Sequence, residues 1–460
     1  MRTNPVNAID VYRNRRARLL TTLHEKGGGV AILSTAAEAF RNRDITYPYR
    51  HDSYFYYLTG FTEPNAVLVL NASFSQNVPK SILFCRNKNP DREIWEGSHY
   101  SPDIARDVFG VDAAFATDAL EDKLPLLLEG VGTIYYQFSS SDNFLSHRIK
   151  SWIKNIRDRS RCSIKAPHTL YDLSLILDNM RIIKDQHELT IMRRAAEIST
   201  LAHRRAMIMC HPGIREYELE AEILHTFNMH GVKSPAYESI IAAGSNTCVL
   251  HHLAGNTVAC NGDLILIDAS CEFNGYASDV TRTFPANGRF LTAQRVLYDI
   301  VLAAQQAAID LTRAGVAFDD LHHASVRVLA QGLLDTGIIP KKQFSSVDSV
   351  INERAYTPFY MHRTGHWIGM DVHDCGDYYN NSVVHEINKC AIPSKTLKSG
   401  MVLTIEPGLY VRASKDVPKE YWNIGIRIED VAIVREHDCE LITRDVPVNA
   451  DEIERLMLKE

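Results

Sequence analysis

The stretch Asp263-Leu-Ile-Leu-Ile-Asp268-Ala-Ser-Cys-Glu-Phe-Asn274-Gly275-Tyr-Ala-Ser-Asp279-Val-Thr-Arg-Thr-Phe284 reads as two strands joined by a tight turn, with an acid on each arm. Asn-Gly favours a two-residue hairpin loop, because both positions tolerate positive φ. If Asn274 and Gly275 form that loop, cross-strand partners sum to 549, so Asp268 faces Thr281 and Asp279 lies two residues from that partner. Both carboxylates then share one face as diagonal neighbours, about 7–8 Å apart at the backbone. Asp268 ends an apolar run, where an unpaired carboxylate is costly.

Downstream, the same interruption recurs. His362-Arg-Thr-Gly-His366 precedes His373, Glu406 stands within Leu403-Thr-Ile-Glu-Pro-Gly-Leu-Tyr410, and Glu429 stands within Ile424-Gly-Ile-Arg-Ile-Glu-Asp430. Four carboxylates gathered without cations raise one another's pKa, whereas two divalent ions balance their charge. Oxygen-dominated ligation with one imidazole and no thiolate points to Mn²⁺, with Co²⁺, Fe²⁺ and Zn²⁺ as alternatives. Ions about 3.5–4 Å apart could share a bridging hydroxide.

Around this core the elements fall in blocks. Asp185-Gln-His-Glu188 is a capping box opening a helix with Leu189, Met192, Ala196 and Leu201 along one face. Further helices are predicted over Tyr217–His230, closed by Gly231, and over Thr292–Ala314 and Asp319–Thr336; strands carry Met401–Tyr410 and Ile424–Val434. Segregated helices and strands imply an α+β domain, a mainly antiparallel sheet covered by helices, over residues 181–460. Ahead of it, Gly29–Leu33, Ala66–Leu70, Ser81–Cys85 and Gly132–Tyr136 read as buried strands of an α/β domain over residues 1–180, with loops such as Asn87–Arg92 between them. At 460 residues, two domains are the natural expectation.

Composition is that of an ordinary globular protein, with 45% apolar and 23% charged residues. A net charge of -6 with scattered basic residues gives no nucleic-acid footprint. The longest apolar runs fall far short of the ~20 residues that span a bilayer, so no membrane segment is expected. Arg2, Arg13, Arg15, Arg16 and Arg18 invite comparison with a transit peptide, but Asp10, Val11, Leu19, Leu20 and Leu23 fit the cap and apolar stripe of a domain's first helix. Nine cysteines without a C-x-x-C pair suit a reducing cytoplasm, and Cys271 and Cys375 read as spectator thiols. The pair His322-His323 reads as solvated helix surface.

The order Asp, Asp, His, Glu, Glu, with Ile267-Asp-Ala, Ser278-Asp-Val-Thr-Arg, Gly365-His-Trp-Ile-Gly, Ile405-Glu-Pro-Gly and Arg427-Ile-Glu-Asp, resembles the pita-bread metallopeptidases across the second domain. His366-Trp-Ile-Gly-Met-Asp-Val-His-Asp374 and Tyr47–Phe61 resemble the Xaa-Pro aminopeptidases within that family. The resemblance implies a dinuclear centre on Asp268, Asp279, His366, Glu406 and Glu429. Asp268 and Glu406 would sit on separate ions, Asp279 and Glu429 would bridge, and Glu406 would act as general base for the attacking bridging hydroxide. His251, His362 and His373 would serve the oxyanion or the leaving nitrogen. His362, His373 and Tyr410 would form a proline pocket, Trp95 would narrow its entrance, and Arg427 would orient Asp279 or Glu429. Peptides with proline at the second position are the implied substrates, and a homodimer or homotetramer built through the first domain the implied assembly. A prolidase, which shares the five ligands, is the nearest alternative. A non-catalytic relative used for binding would have lost ligands that are all present here.

Overall fold

The computed structural model describes residues 9–73, 78–138, 144–159, 164–380 and 393–458. The chain divides into two compact units, Met1–Met180 and Arg181–Glu460.

The first unit is built on a six-stranded sheet. Its strands are β1 (Val30–Ser34), β2 (Val67–Asn71), β3 (Ser81–Cys85), β4 (Ala113–Ala116), β5 (Thr133–Tyr136) and β6 (Thr169–Asp172), in the order β4-β3-β2-β1-β5-β6. β1, β2 and β3 pair antiparallel, while β4, β5 and β6 join in parallel. The centre is dry because Val30, Ile32, Val69 and Phe84 are buried. The opening helix, Ile9–Glu25, does bury Leu19 and Leu23, yet it also buries Arg15 and Arg16. Arg16 donates to the carbonyls of Leu58, Phe109 and Gly110 at 2.8, 3.1 and 2.6 Å. These close the helices Ser53–Thr59 and Pro102–Phe109, so a guanidinium satisfies orphan C-terminal carbonyls that lack an intrahelical partner. Its apolar surroundings lower its pKa to about 10 through burial. Arg13, Arg15, Arg16 and Arg18 thus stand on a helix packed into the first unit.

In the second unit every strand pairing is antiparallel among the described residues. β7 (Ile240–Ala243), β8 (Leu264–Asp268) and β11 (Thr281–Pro285) form one sheet, and β9 (Glu272–Phe273) and β10 (Tyr276–Ala277) close the hairpin between its last two strands. Asn274 and Gly275 both have positive φ, 48° and 77°. Leu264 pairs with Pro285, Asp268 with Thr281 and Phe273 with Tyr276, so one register runs the whole length of the hairpin. Residues 269–271 and 278–280 lie outside the regular strands and keep two cross-strand bonds, Ala269 N–H to the Val280 carbonyl at 3.4 Å and Ser278 N–H to the Cys271 carbonyl at 3.1 Å, with Asp279 between them.

The other acids repeat the device. The expected strand over Met401–Tyr410 is two strands, β12 (Val402–Ile405) and β13 (Gly408–Val411), and Ile424–Val434 is β14 (Ile424–Arg427) and β15 (Asp430–Val434). β15 also pairs with β16 (Cys439–Leu441). Val402 pairs with Ile433 and Gly408 with Arg427, both pairs summing to 835, so the register survives the break. Glu406 and Glu429, which also sum to 835, face each other across the gap. Pro407 lacks the N–H a ladder needs, which explains why the strands part there.

Helices cover these sheets. Gln186–Met209 begins with the capping box, Glu188 N–H donating to Asp185 and Asp185 N–H to Glu188, both at 3.0 Å. Glu188 is itself buried and accepts from the Tyr276 hydroxyl at 3.0 Å, tying that helix to the hairpin. Glu216–Met229, Thr292–Leu311 and Phe318–Asp335 fall close to their expected spans. No helix among the described residues is long and apolar enough to cross a membrane.

Candidate metal centre

A cavity of about 830 Å³ in the second unit is lined by Asp268, Asp279, His366, Glu406 and Glu429 together with Tyr237, His251, His362, His373 and Arg427. Ligand atoms of Asp279, His366 and Glu429 lie within 4.8 Å of one another. His366 Nε2 is 3.4 Å from Asp279 Oδ2 and 3.6 Å from Glu406 Oε1. Its Nδ1 donates to the Trp367 carbonyl at 3.0 Å, which turns Nε2 toward the acids.

The placement of His366 beside Glu406 comes from backbone pairing. Glu406 N–H donates to the Thr364 carbonyl at 2.7 Å, Thr404 N–H to the His366 carbonyl at 2.9 Å, and His366 N–H to Thr404 Oγ1 at 3.0 Å. Gly365 is required between them, because a Cβ there would sit 1.9 Å from the Thr404 carbonyl oxygen. Glu429 is fixed to the first hairpin: its N–H donates to the Thr281 carbonyl at 3.1 Å, and the Thr281 hydroxyl donates to its carboxylate at 2.6 Å.

Charge is unbalanced in this cluster. Burial, then Asp279 and the other acids, raises the Glu429 pKa well above the ordinary carboxylate range. Burial also lifts Asp279, and it pushes Glu406 up to about 7 despite His366 and Arg427 nearby. His366 is raised to about 9; burial opposes its charge, but the hydrogen bond to Asp279 and the charge of Glu406 outweigh that. The Tyr237 hydroxyl lies 2.6 Å from an oxygen of Asp268 and 2.6 Å from one of Asp279. One proton cannot serve both carboxylates fully. Converging oxygens, one correctly turned imidazole nitrogen and this excess of negative charge fit hard divalent cations.

The remaining expected residues occupy distinct places. His362 donates from Nδ1 to the Arg363 carbonyl at 2.8 Å and presents Nε2 to the Tyr410 hydroxyl at 2.9 Å. Burial, then Arg427, lowers its pKa to about 4, so it is neutral. His373 packs edge-on against His366 with ring centres 4.4 Å apart. His251 lines the cavity, whereas His252 turns away to Glu216, 2.9 Å from its carboxylate. Tyr410 is fully buried behind the wall, held by His362 and by Arg427 at 3.0 Å, and is not among the lining residues. Arg427 orients Asp268, at 2.7 Å, instead of Asp279 or Glu429, and it also reaches Thr281. The register explains the difference, since Asp268 and Thr281 are paired residues and Arg427 meets them together. Trp95 stands on the first unit's helix Pro90–Glu96, 88% exposed, and is not among the lining residues.

His322 differs from expectation. It is half-buried, bonded through Nδ1 to Thr364 Oγ1 at 2.9 Å, and burial lowers its pKa to about 3; only His323 is exposed. Cys271 is buried, and burial pushes its thiol up to about 12, which suits a spectator. Tyr237 was not legible: it lies in a loop fastened to the hairpin by Ala236 N–H to the Ser270 carbonyl at 2.9 Å, and nothing in Ser234-Pro-Ala-Tyr237 marks it.

Comparison with known proteins agrees with this geometry. The family model described as metallopeptidase family M24 matches residues 190–436, and that of the aminopeptidase P N-terminal domain matches residues 12–135. The chain is 40% identical to the Xaa-Pro aminopeptidase of Escherichia coli (strain K12) over 450 residues, 97% of each chain. Among solved structures it is similar to Pseudomonas aeruginosa aminopeptidase PepP, with TM-score 0.90 and 41% identity over 96% of this chain and 97% of that one. It is likewise similar to E. coli aminopeptidase P with the inhibitor Pro-Leu, with TM-score 0.90, 39% identity and 98% of both chains. The chain therefore belongs to metallopeptidase family M24, in the aminopeptidase P group whose N-terminal domain it also carries.

Proposed function

We propose that this protein is a dinuclear aminopeptidase that hydrolyses the bond between an N-terminal residue and a penultimate proline. The observation that carries the reading is the convergence of Asp279, His366 and Glu429 with Asp268 and Glu406 in one cavity. Asp268 and Glu406 would hold separate ions and Asp279 and Glu429 both, with Mn²⁺ favoured by the oxygen-rich donor set and Co²⁺, Fe²⁺ or Zn²⁺ able to substitute. When bound, the two ions supply charge that acidifies water and polarises the scissile carbonyl.

The protein's own groups do the rest. Glu406, which faces the same cavity as the other ligands, is placed to take a proton from water and later return it. His362 is neutral with both ring nitrogens engaged, by the Arg363 carbonyl and the Tyr410 hydroxyl, so it offers its ring to the cavity without competing for cations. His251 and His373 stand on the same wall, where a donor can stabilise an oxyanion or protonate the leaving proline nitrogen. A prolyl amide has no N–H of its own, so recognition must rest on the ring. Apolar Leu253 and Val372 in the lining suit that role.

Metal-depleted protein is reloaded with each ion in turn, and initial rates are compared on Ala-Pro-Ala, Ala-Ala-Ala and Ala-Pro. Fast cleavage of the first alone is expected. Strong preference for the dipeptide would establish the prolidase reading instead, and light scattering tests assembly into a homodimer or homotetramer.

A further inference from the structure

Arg363 lines two cavities. One is the catalytic cavity; the second is a partly open surface recess of about 390 Å³, where the exposed side chains of His323, Arg327, Arg354 and Arg363 stand with His322, Tyr356, Val326 and Ile351. Its polar wall is cationic. Arg327 is held by Asp348 at 2.9 Å and Arg363 by Asp319, but Arg354 has no ion pair or side-chain hydrogen bond among the described residues.

Arg354 is also held in an unusual backbone conformation. It follows the helix Val347–Asn352 with φ 53°, while its N–H donates to Ile351 and the next N–H, of Ala355, to Val350. That is the closing turn of a helix, where glycine sits with less strain. A guanidinium presented at that cost, unpaired beside two others in a concave site, matches the fork geometry that recognises planar or tetrahedral oxyanions.

We propose that this second cavity is an oxyanion site, taking a carboxylate or phosphate group through Arg354 with Arg363 and Arg327. The ligand would lie one residue from His362, whose Nδ1 is anchored on the Arg363 carbonyl. Two sources share this chemistry: a free small oxyanion, or the carboxylate of a peptide that extends past the catalytic cavity.

Sulfate, which does not precipitate divalent ions, is titrated calorimetrically into the metal-loaded full-length protein, with chloride at equal ionic strength as control. Saturable binding at one site is expected, weakened about tenfold or more in Arg354→Gly, as for loss of a charge-assisted contact. Glycine suits φ 53°, so this variant is expected to fold with an unchanged urea midpoint. The absence of saturable sulfate binding, or equal binding in Arg354→Gly, overturns the proposal; the latter would place the anion on the metals.

Ala-Pro-Ala-Ala as free acid and as amide separates the sources. A lower KM for the acid, lost in Arg354→Gly, assigns the carboxylate to the substrate. Equal KM values with sulfate binding intact assign the site to a free oxyanion. This second arm rests on the aminopeptidase reading, whereas the calorimetry does not, so an inactive protein that still binds sulfate refutes the function and leaves the site standing.

Discussion

Tyr237 stands between two acids with one proton to offer. Tyr237→Phe keeps the ring and removes the hydroxyl, which alone among the described residues bonds both Asp268 and Asp279. Metal affinity is expected to fall about 10- to 100-fold, as when other groups that orient ligands are lost. Metal content after dialysis against graded chelator measures it, and unchanged retention would show that the acids hold their geometry alone. His366 gives a second expectation. To ligate a cation it must be neutral, yet without metal its pKa is about 9, so binding near pH 8 should expel protons. Titration in buffers of different ionisation enthalpy reads that release. At this scale the acids were legible, because charge inside an apolar run is conspicuous. Tyr237 and His322 were not: a tyrosine in a loop carries no such signal, and His322 is adjacent in sequence to an exposed histidine although its own ring meets Thr364.

The elements show how such residues are aimed. The hairpin could be read from its turn, since Asn274-Gly275 fixes the register and every pair follows. The parting of β12 from β13 was less visible, because Leu403–Tyr410 looks continuous until Pro407 is placed against its partner strand. Gly365 marks the tightest approach. In Gly365→Ala the new methyl would meet the Thr404 carbonyl, so the segment carrying His366 must move from the strand carrying Glu406. A loss of about 2–4 kcal/mol in stability is expected, with metal retention falling alongside. Urea midpoints and metal analysis check this together; full metal retention at normal stability would mean that the backbone yields more easily than the close contact implies.

Across the molecule, pH acts through two opposed sets of groups. Without metal, Glu406 has its pKa raised from 4.5 to about 7, so its contribution to stability is full below about 4.5 and is lost as pH rises through 7. The share from His366, raised to about 9, is complete below about 6.5 and is lost as pH rises through 9. Metal-free protein should therefore lose thermal stability between about pH 5 and 9, and added Mn²⁺ should restore more at pH 8 than at pH 6. A stabilisation by Mn²⁺ that does not vary with pH would contradict this linkage. At the acid end the sign reverses. Asp374 is depressed by Lys184 and Arg181 despite its burial, Asp430 by Arg282 and Arg444 despite its burial, and Glu440 to about 2 chiefly by its hydrogen bond to Arg193. Their support is present above about pH 4 and disappears as pH falls toward 2, so denaturant midpoints should drop over that window with metal absent. The division into an α/β part and an antiparallel part was readable from patterning, while buried pairs such as Arg282 with Asp430 depend on strands far apart in sequence.

The interrupted ladders also constrain how this chain can change. Register persists across each opening, so the direction in which every acid points is counted from a turn several residues away. Away from Asp279 and the Asn274-Gly275 turn, a substitution in residues 269–280 acts locally, but adding or deleting a single residue there rotates everything beyond it to the opposite face. Descendants of this sequence can exchange one buried apolar side chain for another along those arms, but are barred from drifting in length.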